Sequence, residues 1–229
     1  MPGTLNHKAR KPRAKMDSVE YLIELNRKQS ALFDDPGMRL EREKYRVRHP
    51  TEIGFIKCMD GRVHGPVITK TPLGIIQPWR NIGGKFDLGW IGFALSIKEW
   101  IEYAKSRGRD CLVVVTYHYS RGSKHRGCRG FDYDLDEARR FTLNLKKQFD
   151  RVFGQKVVYT IQCGVETDWE ALVLHGENGK SLDLAEVDDN SFENLQRILG
   201  NLYPNMPDQI LTDLLQLVGN NIEHVRETR

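Results

Sequence analysis

Cys111-Leu112-Val113-Val114-Val115-Thr116-Tyr117-His118 is an apolar run that ends in a titratable side chain. Three consecutive valines with no polar alternation read as a strand covered on both faces, as a central strand of a parallel sheet is. Working upstream, Ile53 to Cys58 reads as a second short buried strand, and Leu73 to Gln77 as another apolar run, leading into Pro78-Trp79-Arg80-Asn81-Ile82-Gly83-Gly84. Trp90, Phe93, Ala94, Ile97, Trp100, Ile101 and Ala104 then recur at helical spacing before Gly108. Downstream, Leu135, Ala138, Phe141, Leu145 and Phe149 mark another helix with Asp134 as its N-cap. Val157 to Cys163 and Trp169 to His175 read as strands, the second closing on the turn Asn178-Gly179. The chain ends in helices over Phe192 to Leu202 and Ile210 to Val218, and begins with an amphipathic helix between Asp17 and the stop Asp35-Pro36-Gly37, followed by a charged stretch from Arg39 to Arg48. This alternation predicts an α/β fold: a central, mostly parallel sheet of four to five strands flanked by helices, with helical N- and C-terminal arms.

The 229 residues, 39% hydrophobic and 29% charged, lie in the range of globular chains able to bury their own core. Four cysteines over that length are no disulfide framework, and no apolar run is long enough to cross a bilayer, so a reducing, cytoplasmic setting is expected without a membrane partner. The net charge of +4 is uneven: Lys8, Arg10, Lys11, Arg13 and Lys15, with no acid among the first 15 residues, supply +5 and leave the rest near −1. Residues 1–16 therefore read as a basic disordered tail, with an anionic tether or a targeting segment as alternatives, and residues 17–229 as one α/β domain with an N-terminal helical arm (17–50) and C-terminal helices (190–229).

The chemistry concentrates where the strands run out. In Cys58-Met59-Asp60-Gly61-Arg62 an extended backbone puts Cys58, Asp60 and Arg62 on one face, about 6.5–7 Å between neighbours two apart. His118 ends the other buried strand, and Cys128 follows across a Gly- and Arg-rich loop. If the two strands are neighbours, two sulfurs and one imidazole converge at the carboxyl ends, where open α/β sheets place ligands, as a tetrahedral zinc set with one vertex open.

These segments, Cys58-x-Asp60-x-Arg62, Arg80-Asn81-Ile82-Gly83-Gly84, and His118 with a cysteine beyond it, resemble the β-class carbonic anhydrases over about Ile53 to His175. The resemblance implies a Zn2+ cofactor held by Cys58, His118 and Cys128, an Asp60–Arg62 pair beside it as the catalytic residues, a homodimer or higher homo-oligomer, and reversible hydration of CO2 to bicarbonate by a zinc-bound hydroxide. It departs in one place. The usual pattern is Gly-His-x-x-Cys, whereas Tyr117 stands in the Gly place and nine residues separate His118 from Cys128. Either the loop bulges and His118 is the ligand, which is favoured for its place on a rigid strand end, or His125 keeps the short spacing. The long gap is also similar to the carboxysomal shell branch, which leaves a carboxysome association open. Alternatives are a related scaffold acting on CS2 or COS, and a nucleic-acid or anion-binding module with a structural zinc, resting on Arg121, Lys124, Arg126 and Arg129; nucleic acid is not the expected partner.

Other chemistries fail on spacing. No Cys-x5-Arg, no Cys-x-x-Cys and no P-loop occurs, since Gly83-Gly84-Lys85 is followed by Phe86. Cys111 and Cys163 read as small core fillers. His64 and His125 are candidates to relay protons, and His7, His49, His175 and His224 read as surface residues.

Overall fold

A computed structural model of the chain describes residues 17–188 and 191–229; the basic tail read over residues 1–16 lies outside them. The described residues divide into two units, the boundary falling after Leu40. In the first, α1 (Ser18–Asp34) buries no residue, so its apolar row, Val19, Leu22, Leu25, Leu32 and Phe33, is exposed. The stop at Asp35-Pro36-Gly37 is also a start. Asp35 Oδ1 accepts from the Gly37 (2.8 Å) and Met38 (3.2 Å) backbone N–H groups, and Pro36 is tolerated at the first helical position because its missing N–H is one the helix leaves unpaired anyway. The charged stretch that follows is therefore helix α2 (Pro36–Arg48).

The second unit is built on a sheet of β1 (Glu52–Cys58), β2 (Ile76–Asn81), β3 (Cys111–Tyr119), β4 (Tyr159–Glu166), β5 (Ala171–His175) and β6 (Ser181–Asp183), in the order β2-β1-β3-β4-β5-β6. β2, β1, β3 and β4 run parallel, β5 pairs antiparallel with β4, and β6 pairs antiparallel with β5. The sheet is thus α/β and mostly parallel as expected, with six strands rather than four or five: β6 spans only three residues, too few to carry a periodic signal. β2 starts three residues later than Leu73 and runs through Pro78, which an edge strand accepts because its outer N–H groups have no partner to lose.

Alternation along β3 explains its unbroken apolar run. Leu112 and Val114 face α6 (Phe192–Leu202) and α7 (Asp208–Thr228) through Leu195, Leu199, Leu214 and Val218. Cys111, Val113 and Val115 face α4 (Ile91–Ser106) and α5 (Leu135–Val152) through Phe93, Ile97, Leu145 and Phe149. Each such fully buried side chain contributes about 1.5–3 kcal/mol by leaving water. Cys111 and Cys163 fill these cores, at 1% and 0% exposure. Asp134 caps α5 by accepting from the Glu137 N–H, worth about 1 kcal/mol.

α7 continues ten residues past Val218. Its far end is pinned by Asn221, fully buried, which donates to the Ile68 and Glu170 carbonyls and accepts from the Leu172 N–H. Ile68 belongs to the one-turn helix α3 (Gly65–Ile68). Three of the histidines read as surface residues are built into this framework instead. His49 bonds the buried Asp213 carboxylate (3.1 Å), His224 bonds Glu170 (2.6 Å), and His175 sits between Tyr117 Oη and Ser181 Oγ, 2.7 Å from each. His7 lies outside the described residues. Among the described residues no helix is long and apolar enough to cross a membrane.

Candidate metal centre

Parallel pairing of β1 with β3, Ile56 opposite Val115, brings the carboxyl ends of both strands to one edge. Cys58 is the last residue of β1 and His118 the last but one of β3. Cys128 opens a 3-10 turn, Arg129–Phe131. One ligand atom from each of Cys58, His118 and Cys128 lies within 4.8 Å of the others, and all three side chains are buried. His125 is outside this group: it is exposed in its loop, its ring edge-on to Tyr133 at 5.5 Å. His64 is exposed ahead of α3.

The two sulfurs are 3.9 Å apart. Hydrogen bonding from Cys128 lowers the pKa of the Cys58 thiol against the cost of burial, and the backbone N–H groups of Asp60 and Gly83 assist; the Gly83 N–H donates to the sulfur at 3.3 Å. The Cys128 thiol is pushed up by its bond to Cys58 and by burial. One thiolate thus forms readily, and a second negative sulfur so close needs a cation.

Close approach of two glycines closes the site. A Cβ on Gly130 would meet the Gly83 N and Cα at 2.6 Å, and Gly83 holds φ +75°, a region that side chains disfavour. The turn carrying Cys128 can therefore lie directly on the segment whose N–H reaches Cys58.

Asp60 and Arg62 form a fork. Arg62 donates from Nε to Oδ1 (3.0 Å), from Nη2 to Oδ2 (2.7 Å) and from its backbone N–H to Oδ1 (3.0 Å), and its Nη1 reaches Thr167 Oγ1 at 3.4 Å. The guanidinium holds the Asp60 carboxyl down to about 2, so it is ionised at any physiological pH. Lys57, buried beside Cys58, donates from Nζ to the Cys58 carbonyl (2.9 Å); burial and then Arg80 lower its pKa. A cleft of about 530 Å³, lined by His118, Tyr119, Lys124, Cys128 and Tyr133 among others, opens beside the cluster.

No family model matches the chain, and no curated protein does. Among solved structures, the β-carbonic anhydrase CcaA superposes with a TM-score of 0.50 at 12% identity, over 71% of this chain and 99% of that one. The fold is β-carbonic-anhydrase-like. Two further β-carbonic anhydrases match with lower scores. One, from a report of two tetrameric enzymes of Sordaria macrospora, has a TM-score of 0.43 at 13% identity over 72% of this chain and 96% of its own. The other, CafA of Aspergillus fumigatus, has a TM-score of 0.41 at 14% identity over 82% and 99%.

Within this β-carbonic-anhydrase-like fold the donor set suits zinc. Neither ring nitrogen of His118 makes a hydrogen bond, although the side chain is 2% exposed. A buried polar atom left unpaired costs about 1–3 kcal/mol, and a cation between that ring and the two sulfurs gives the imidazole a partner while neutralising the thiolates. Thr167, whose hydroxyl accepts from Arg62, carried no sequence signal, because it comes from the β4–β5 turn, 105 residues from its partner.

Proposed function

We propose that the chain is a zinc-dependent carbonic anhydrase that hydrates CO2 reversibly, with Cys58, His118 and Cys128 as metal ligands and Asp60 and Arg62 as the catalytic pair. The observation that supports this best is the buried convergence of two sulfurs and an unpartnered imidazole at the carboxyl ends of two parallel strands. Zinc, when bound, supplies a Lewis acid that makes a water molecule nucleophilic near neutral pH. Asp60 stays ionised because Arg62 donates twice to Oδ1, from Nε and from its backbone N–H, and once to Oδ2. The lone pair left on Oδ2 can accept a hydrogen bond from water and orient it. Arg62, braced by Thr167, keeps that carboxylate from turning. Burial of all three ligands limits bulk water at the site.

A homodimer belongs to the same proposal. It is supported by the exposed apolar residues Ile82, Trp90, Ile91 and Leu95, 50–77% exposed at the start of α4 and just before it, and sedimentation velocity checks it.

The deciding experiment measures zinc per chain on the purified protein and stopped-flow CO2 hydration on the same sample, with COS and CS2 hydrolysis in parallel. One zinc per chain with CO2 hydration well above buffer is expected. A zinc-loaded chain inert toward CO2 and active on COS or CS2 would move the substrate assignment, and a chain without zinc would end it.

A further inference from the structure

The segment from Ser120 to Gly127 joins two of the three ligands and belongs to no strand. Its own backbone hydrogen bonds, Arg126 N–H to the Ser123 carbonyl (3.0 Å) and Gly127 N–H to the Lys124 carbonyl (2.9 Å), are internal. They shape the loop but cannot fix it against the sheet. One turn does that. Asp168 accepts from the Gly122 N–H (2.8 Å) and from Ser120 Oγ at both carboxylate oxygens (2.8 and 3.0 Å), and pairs with Arg126 (3.0 Å). We propose that Asp168 is a positioning residue of the metal centre, holding the His118-to-Cys128 loop so that Cys128 stays within bonding range of the ion it shares with Cys58 and His118. The proposal rests on the zinc reading above.

The turn is itself rigidly founded. Glu166, fully buried, accepts from the Asp168 (2.9 Å), Trp169 (3.0 Å) and Arg121 (3.3 Å) backbone N–H groups. Thr167 N–H and Oγ1 both donate to the Tyr119 carbonyl, at 2.8 and 3.0 Å, extending the β3–β4 ladder one step past His118. The same Thr167 hydroxyl meets Arg62. A single turn therefore reaches both the loop bearing Cys128 and the Asp60–Arg62 fork. Within the clasp, the bonds to Ser120 and to the Gly122 backbone outweigh the ion pair, because the Arg126 side chain is 57% exposed and solvent screens it. Without the clasp the loop samples more conformations, and binding an ion must order it.

The test uses the full chain and zinc or cobalt alone. Zinc affinity is measured by competition with a chromogenic chelator, and the visible spectrum of the Co2+ form reports coordination geometry. Asp168→Ala should weaken zinc binding about 10- to 100-fold, as loss of a group that orients a ligand does, and alter the Co2+ bands. Arg126→Ala should change affinity by less than about fivefold. Asp168→Ala with unchanged zinc affinity and Co2+ spectrum overturns the proposal. If that variant fails to fold, Ser120→Ala and Asp168→Asn take its place: weaker binding in both supports the proposal and unchanged binding in both overturns it. A natural chain that takes up neither metal overturns this proposal and the zinc reading together. One that binds zinc without hydrating CO2 defeats only the activity, and the affinity comparison, which needs no turnover, then decides this proposal by the same outcomes.

Discussion

The sulfurs of Cys58 and Cys128 face each other at 3.9 Å across 70 residues of chain. Holding two thiolates that close in a buried site is unfavourable unless a cation is bound between them. Cys128→Ser should therefore lose zinc affinity by at least about 100-fold, since losing a direct ligand exceeds the cost of losing an orienting neighbour. Metal analysis after dialysis measures it, and a Cys128→Ser chain that keeps full zinc refutes the ligand assignment.

The two candidate histidines differ in burial. His118 is 2% exposed with both nitrogens unpartnered, and His125 is exposed against Tyr133. His118→Ala should empty the site and His125→Ala should leave zinc content unchanged. The reverse result would transfer the role to His125.

Asp60→Asn keeps the shape of the side chain and loses its charge. Zinc content should be retained and kcat for CO2 hydration should fall at least about tenfold. Equal turnover in this variant would remove Asp60 from the reaction.

Stability should respond to acid through His175, which is not one of the three ligand candidates and bonds Tyr117. Burial, and secondarily Arg139, lower His175 to about 4, against about 6.5 in an unfolded chain. Between those values the unfolded chain binds more protons than the folded one. Stability therefore rises with pH across this window, falls as the pH drops through it, and levels off below about 4. Urea midpoints at pH 7 and 4.5 should differ less for His175→Gln than for the natural chain; an equal difference would show that another group carries the acid sensitivity.

Much of the sheet was legible because burial on both faces leaves a compositional mark, as at Leu112 to Val115, and the strand-end positions of Cys58 and His118 followed from it; Asp60 and Arg62 instead lie in a turn after β1, closed by the Val63 N–H on the Asp60 carbonyl, rather than on one extended face with Cys58. What escaped was long-range or too short. Helix α2 has a charged sequence with little apolar period, and its start depends on the Asp35 side chain rather than on hydrophobicity. The later turns of α7 are held by Asn221, a polar residue whose partners lie in α3 and at the head of β5. His49, His175 and His224 read as surface residues because their partners Asp213, Tyr117, Ser181 and Glu170 are close only after folding. Among the site residues, Thr167 and Asp168 escaped for the same reason.

Cys58 and His118 ride on strands flanked by neighbours on both sides, β1 between β2 and β3, and β3 between β1 and β4, whereas Cys128 rides on a loop. Amides beside the first two should exchange with deuterium only when the sheet opens, and those around Cys128 far sooner. An ion held by all three would then escape through loop fluctuations alone, so its residence time would be uncoupled from the global unfolding rate of the protein.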